Sequence, residues 1–265
     1  MHIPIDKDSH SFYNKKKIIC MLIFICNFYL EGVIMIKISN LHKFYGKNSN
    51  KIEVLKGIDL SFDEGKIICI LGPSGSGKST LLNIIGGIET IDIGNVNILG
   101  QDLGELNKKD LEIFRRNNLG FVFQFYNLIS DLNVIENIEL GKFLSDNPLD
   151  IDDLIDNLGL SDQKYKFPNE ISGGQAQRTS IARAMVKSPR ILICDEPTGA
   201  LDYESAKDVL NLIENLNKIY KSTILIATHN TNISKMCDII LNLHDGKIKN
   251  LFVNSNKISA KEVSW

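Results

Sequence analysis

Ile67-Ile68-Cys69-Ile70-Leu71 runs into Gly72-Pro73-Ser74-Gly75-Ser76-Gly77-Lys78-Ser79-Thr80 and on into Leu81-Leu82-Asn83-Ile84-Ile85, and this stretch decides the fold. The unbroken apolar run reads as a parallel strand covered on both faces. Gly72 to Ser79 satisfies G-x-x-x-x-G-K-[ST], which cradles phosphate when it joins a strand to a helix, and the helix-compatible residues after Thr80 supply that context. Glycines there aim successive N–H groups inward, and the helix N-terminus adds partial positive charge. Gly72 through Thr80 are therefore candidate nucleotide-binding residues, with Lys78 neutralising the β and γ phosphates and Ser79 offering a hydroxyl to Mg²⁺.

Outward from this loop the chain alternates strand-like and helix-like signals. Ile191–Cys194 and Thr223–Ala227 are further continuous apolar runs, expected beside Ile67–Leu71 in a central parallel sheet. Ile58, Leu60 and Phe62 alternate with Asp59 and Ser61, the period of a strand with one wet face. Ser205 is expected to open a helix carrying Val209, Ile213 and Leu216, with Asp208 three residues after the cap. Ile151, Leu154, Ile155 and Leu158 mark a helix in an inserted region, and Asp245-Gly246 marks a hairpin turn.

The 265 residues are 43% hydrophobic and 23% charged with net charge −2, a composition that excludes disordered and fibrous classes. A near-neutral balance also argues against a global basic field, so no nucleic-acid partner is expected. The five cysteines, Cys20, Cys26, Cys69, Cys194 and Cys237, are dispersed and lack a CxxC pair. That pattern implies neither a disulfide framework nor a zinc site, and fits a reducing cytosol.

Two further motifs carry chemistry. Ile191-Leu192-Ile193-Cys194 delivers Asp195 and Glu196 to the C-terminal end of a strand, where open α/β sheets bind ligands. Asp195 is the candidate Mg²⁺ carboxylate and Glu196 the candidate general base for water. Ile171-Ser172-Gly173-Gly174-Gln175 leads into a helix-compatible run, so a second anion cradle sits at a second helix N-terminus. One nucleotide does not readily use two such helix ends on one chain, unless they face each other across a two-fold interface.

In these residues the chain resembles the ATP-binding cassette (ABC) transporter ATPase family, over nearly the whole stretch from Ile36 to about Val253 and with the motifs in the family's order. The resemblance implies an α/β P-loop NTPase fold: a mixed, mainly parallel central sheet, an antiparallel β subdomain and an inserted α-helical subdomain at about 126–170. It also implies that Tyr45 stacks on adenine, with Phe44 and Tyr126 as competing aromatics. Gln124 then joins Mg²⁺ sensing to a membrane partner, Asp202 in Ala200-Leu201-Asp202 belongs to the loop crossing the dimer interface, and His229 contacts the γ phosphate. Ile171 stands where the family usually has leucine.

By the same resemblance, two copies bind head to tail around ATP, with Lys78 of one chain and Ser172, Gly173, Gly174 and Gln175 of the other on each nucleotide. Lys78, Glu196, His229 and Gln124 form the catalytic set, and Ser79, Gln124 and Asp195 the metal set. Ile88-Glu89-Thr90, Phe114-Arg115-Arg116, Gly120-Phe121-Val122-Phe123-Gln124 and Asp195-Glu196-Pro197-Thr198-Gly199-Ala200-Leu201-Asp202 resemble the branch serving macrolide export, lipoprotein release and antimicrobial-peptide resistance. No segment after Met35 approaches the length of a membrane span, so the expected partner is a separate multi-span permease, with the chain peripheral on the inner face of the membrane. A non-transport ATPase of the same branch, regulating a cell-division or wall-remodelling partner, is the alternative. Soluble ABC proteins of translation or repair usually carry two cassettes or a long coiled coil, unlike this chain.

At the start, Lys15-Lys16-Lys17 followed by Ile18–Cys26 imitates a signal peptide but lacks a small-x-small cleavage site and is too short to span a bilayer. Glu31-Gly32-Val33 can be encoded by a purine-rich ribosome-binding site just ahead of Met35. Residues 1–34 are accordingly expected to be a leader, 35–253 the ATPase domain and 254–265 a C-terminal tail.

Overall fold

The computed structural model describes residues 34–46 and 50–264. The chain divides into units Met1–Ile34 and Met35–Trp265, and all the described residues except Ile34 belong to the second. The leader expected over residues 1–34 lies outside the described residues, Ile34 excepted.

In chain order the elements are β1 (Ile34–Tyr45), β2 (Ile52–Asp63), β3 (Ile67–Leu71), α1 (Lys78–Ile85), β4 (Ile93–Ile98), β5 (Gln101–Asp102), α2 (Lys108–Asn118), β6 (Leu119–Val122), α3 (Val134–Lys142), α4 (Ile151–Asn157), α5 (Gly173–Met185), β7 (Ile191–Asp195), α6 (Tyr203–Tyr220), β8 (Thr223–Thr228), α7 (Thr231–Ser234), β9 (Ile239–His244) and β10 (Lys247–Val253). Two sheets result, one ordered β2-β1-β4-β5 and the other β10-β9-β3-β8-β7-β6. In the larger sheet β9, β3, β8, β7 and β6 run parallel and only β10 is antiparallel. The expected P-loop NTPase architecture is thus present, with a separate antiparallel sheet beside a mainly parallel one.

The apolar runs are explained by two cores. Along β3, Ile67 and Cys69 enter one cluster while Ile68 and Ile70 enter the other. On β7, Leu192 and Cys194 part from Ile191 and Ile193 in the same way, and on β8 Ile224 and Ile226 part from Leu225 and Ala227. Successive side chains point to opposite faces, so a strand covered twice must be apolar at every position. Each such buried aliphatic side chain contributes about 1.5–3 kcal/mol. The first core takes in α3, α4, α5 and α6. The second lies under α1 and the inner face of the antiparallel sheet, where Ile58, Leu60 and Phe62 of β2 are buried and Asp59 and Ser61 exposed.

One boundary differs from expectation. The helix expected to open at Ser205 begins at Tyr203 and is capped by Asp202, whose Oδ1 accepts the Ser205 N–H at 3.0 Å. Asp and Ser are comparable N-caps, and at Asp202 the carboxylate charge also complements the helix dipole. Asp245 (φ 48°) and Gly246 (φ 73°) turn β9 into β10 as expected, both in the left-handed conformation of a tight hairpin. Among the described residues no helix is long and apolar enough to cross a membrane.

Candidate functional site

The loop between β3 and α1 is shaped by positions that only glycine suits. Gly75 (φ 77°) and Gly77 (φ 103°) are left-handed. A Cβ on Gly72 would lie 2.2 Å from the Leu243 carbonyl oxygen and 2.6 Å from Ser76 Oγ. The hairpin reinforces the loop from outside, because the Gly246 N–H donates to the Ser76 carbonyl at 3.0 Å. Lys78, nearly buried, folds back over the loop and donates to the Gly72 and Pro73 carbonyls at 2.9 and 3.2 Å.

β7 and β8 bring the acid and the histidine to the same end of the sheet. Glu196 follows β7 in a left-handed backbone conformation (φ 49°), anchored by its N–H to the Ala227 carbonyl at 2.9 Å. Strain of this kind in a non-glycine residue persists only where the surroundings impose it. Its Oε1 lies 3.7 Å from Lys78 Nζ and 3.0 Å from Nδ1 of His229, which follows β8.

Together these residues line a cavity of about 570 Å³, bounded by Val54, Ser74, Gly75, Gly77, Lys78, Ser79, Thr80, Gln124, Glu196 and His229. Most of the expected cradle and the expected catalytic set thus share one space. Gly72 and Pro73 face a second cavity behind the loop, which His229 also borders. Ser76 is buried, its Oγ without a hydrogen-bond partner among the described residues. Asp195, which the Ser79 hydroxyl touches, is not among the residues lining the cavity. Burial pushes its carboxyl upward in pKa and Glu196 adds to this, while the Ser79 hydroxyl and Lys78 pull the other way. Its buried Oδ1 has no partner among the described residues. A hard cation meets such a need, since a partly solvated site built from Ser79, Asp195 and Gln124 offers oxygen donors. Among the described residues no group of three or more His, Cys, Asp or Glu side chains converges as a metal cluster.

The remaining expected residues sit elsewhere. Ser172 caps α5, with its Oγ accepting the Gln175 N–H at 3.3 Å and its own N–H donating to Gln175 Oε1 at 2.8 Å. Ser172 and Gly173 are exposed and, with Gly174 and Gln175, absent from the lining of the cavity. Gly174 permits close helix contact, because its Cβ would lie 2.8 Å from Ser205 Oγ. Asp202 is occupied at the head of α6, whose N–H groups hold its carboxyl below the usual carboxylate pKa. Tyr45 ends β1, partly exposed and outside the cavity wall. Its rivals are engaged: Phe44 stacks with the His42 ring and carries the Lys51 Nζ 4.0 Å from its centroid, and the Tyr126 hydroxyl faces Gly173.

Two residues were not foreseen. Val54 of β2 lines the cavity, and nothing in its sequence neighbourhood marks it apart from other strand residues. Gln177, fully buried on α5, donates through Nε2 to the Pro197 carbonyl at 2.8 Å and so ties that helix to the loop carrying Glu196. Lying between Gln175 and the polar run Arg178-Thr179-Ser180, Gln177 carries no distinguishing signal in the sequence.

A phosphate-loop lysine faced by a carboxylate in one cavity suits the chemistry of phosphoryl transfer, and with this sheet order it places the chain among the P-loop NTPases. Within that class the chain belongs to the ABC transporter family, whose sequence model matches residues 55–199. It is 43% identical, over 87% of its own length, to the ABC transporter ATP-binding protein MG065 homolog of Mycoplasma pneumoniae, of which it spans half the length. It is 42% identical over 81% of its length to the bacitracin export ATP-binding protein BceA of Halalkalibacterium halodurans, covering 87% of that protein. Among solved structures, the dimeric post-hydrolysis state of the ATP-binding cassette MJ0796 bound to ADP and Pi superposes with TM-score 0.76 at 35% identity, covering 83% of this chain and 98% of that one.

Proposed function

We propose that this chain is the ATP-binding and hydrolysing subunit of an export system, acting as a head-to-tail dimer on a separate multi-span membrane permease at the inner face of the membrane. The substrate class that the branch resemblance favours is antimicrobial peptides, macrolides or lipoproteins, and the relative named for bacitracin export supports the first of these. In this reading 35–253 is the ATPase domain, 126–170 its helical subdomain and 254–265 a tail.

One observation carries the proposal: the cavity around Lys78 is lined without Ser172, Gly173 and Gly174, which lie outside it at the N-terminus of α5. A helix end with free N–H groups attracts anions. Its natural ligand here is the nucleotide seated on a second copy, and two-fold symmetry supplies that contact twice.

Within the dimer, backbone N–H groups of residues 74–80 and the Lys78 ammonium hold the phosphates, and Lys78 exchanges its carbonyl partners for phosphate oxygens. Mg²⁺, held by Ser79, Gln124 and Asp195, neutralises phosphate charge when bound. Glu196 accepts a proton from the attacking water. His229 orients that carboxylate through Nδ1 and contacts the γ phosphate, while Tyr45 takes the base.

The test is ATP titration of the Glu196→Gln chain, followed by light scattering on a sizing column. A nucleotide-bound dimer is expected. A chain that stays monomeric with ATP, even beside its membrane partner, overturns the reading.

A further inference from the structure

We propose that Lys43 and Asp92 are positioning residues for base recognition, a clamp that holds Tyr45 in place and joins it to the segment leaving the phosphate-loop helix. The inference rests on the nucleotide site proposed above and concerns residues that neither the motifs nor the cavity wall include.

Lys43 is only 4% exposed. A buried ammonium is costly unless fully paired, and its Nζ donates to the Thr90 carbonyl at 2.8 Å and to Thr90 Oγ1 at 3.1 Å. Two carboxylates complete the set, Asp92 Oδ1 at 3.4 Å and Glu89 Oε2 at 3.5 Å. All of these partners lie between residues 89 and 92, just after α1, the helix that Lys78 begins.

Asp92 serves a second purpose with its other oxygen. The β1–β4 ladder ends at the His42↔Ile93 pair, so Phe44 has no partner in β4. Asp92 Oδ2 accepts the Phe44 N–H at 2.7 Å and continues the strand by a side chain instead. One carboxylate thereby fixes both the side chain of residue 43 and the backbone of residue 44. Lys43 and Tyr45, two apart on a strand, share a side, and Lys43 Nζ sits 5.4 Å from the Tyr45 ring centroid. The cation covers one side of a ring that is still 39% exposed. The clamp therefore acts on Tyr45 and through it on the base, leaving the phosphate cradle to its own residues.

The experiment measures calorimetric binding of ADP and of pyrophosphate, each with Mg²⁺, to the full chain and to Lys43→Met, Asp92→Ala, Tyr45→Ala and the Lys43→Met/Tyr45→Ala double variant. Lys43→Met and Asp92→Ala are expected to weaken ADP about three- to tenfold, the scale of one aromatic stacking contact, with pyrophosphate changed by less than about twofold. Adding Lys43→Met to Tyr45→Ala should weaken ADP no further, since residues acting through one contact are not additive. Unchanged ADP binding, equal loss of ADP and pyrophosphate, or additive losses in the double variant overturns the clamp alone. A wild-type chain that binds neither ligand overturns the nucleotide site as well. If Lys43→Met fails to fold, Asp92→Asn replaces it: it keeps an oxygen for the Phe44 N–H and removes the charge facing Lys43. A loss confined to ADP supports the clamp, and no loss, or a loss shared with pyrophosphate, overturns it.

Discussion

His229 Nδ1 lies 3.0 Å from Glu196 Oε1, the same carboxylate oxygen that faces Lys78 Nζ at 3.7 Å. The carboxylate is thus held from the β8 side by an imidazole and from the loop side by an ammonium. Oε1 therefore has a defined place in the cavity.

Replacing Glu196 by glutamine keeps the shape and removes the proposed base. Steady-state ATP turnover is expected to fall by roughly 10²- to 10⁴-fold, the range typical of a lost general base. ATP binding should persist, and normal turnover in this variant would remove Glu196 from the role.

Lys78→Ala acts on binding instead. The ammonium is the cation nearest the cradle's carbonyls, and without it phosphate charge is met by backbone N–H groups alone. Affinity for ATP, followed with a fluorescent nucleotide, is expected to drop by about tenfold or more, as charge-assisted bonds to phosphate are lost. Unaltered affinity would contradict the placement of phosphate beside Lys78.

Gly72→Ala tests the loop's packing. The new methyl would meet the Leu243 carbonyl at 2.2 Å, a backbone atom that cannot swing aside. A cost of about 1–3 kcal/mol is expected, visible as a lower Tm. Gly104→Ala, exposed and no closer than 3.3 Å to Asp102 Oδ1, should change Tm little.

Asp195→Asn tests the buried carboxylate. Burial raises its pKa in the folded chain, so folding takes up a proton and stability rises as pH falls through the interval between the unfolded and folded values. Above that interval the charged form carries its full penalty. At pH 7 and without ligand, Asp195→Asn should therefore melt higher than the wild type, with the gap closing toward pH 4, about the ordinary carboxylate pKa. Added Mg²⁺ and ADP should stabilise the wild type more than the variant. A lower Tm for the variant at pH 7 would contradict this account.

Much of the fold was legible because its elements have local causes. Ile67–Leu71, Ile191–Cys194 and Thr223–Ala227 are apolar at every position because each feeds two cores, and they pair as β3, β7 and β8 in one sheet. The N-cap of α6 lies three residues before the expected one because Ser205 and Asp202 are both good caps, and only the folded backbone shows whose oxygen receives the N–H. Glu196, His229 and Lys78 lie far apart in sequence yet share a cavity, since parallel strands deliver their C-terminal ends to one edge. Val54 and Gln177 gave no comparable signal: their roles come from what packs beside them.

By itself the sequence determined the phosphate loop and the apolar strands, both of which depend on residues within a few positions of one another. Tertiary structure decided that the β9–β10 turn braces Ser76 through Gly246, that Lys43 and Asp92 grip the end of β1, and that Ser172 lies outside the cavity of its own chain. Those relationships join segments up to 170 residues apart, from Ser76 to Gly246. Hydrogen bonds and close packing act over a few ångströms of space, and a linear pattern carries no record of which distant segments the folded chain brings within that range.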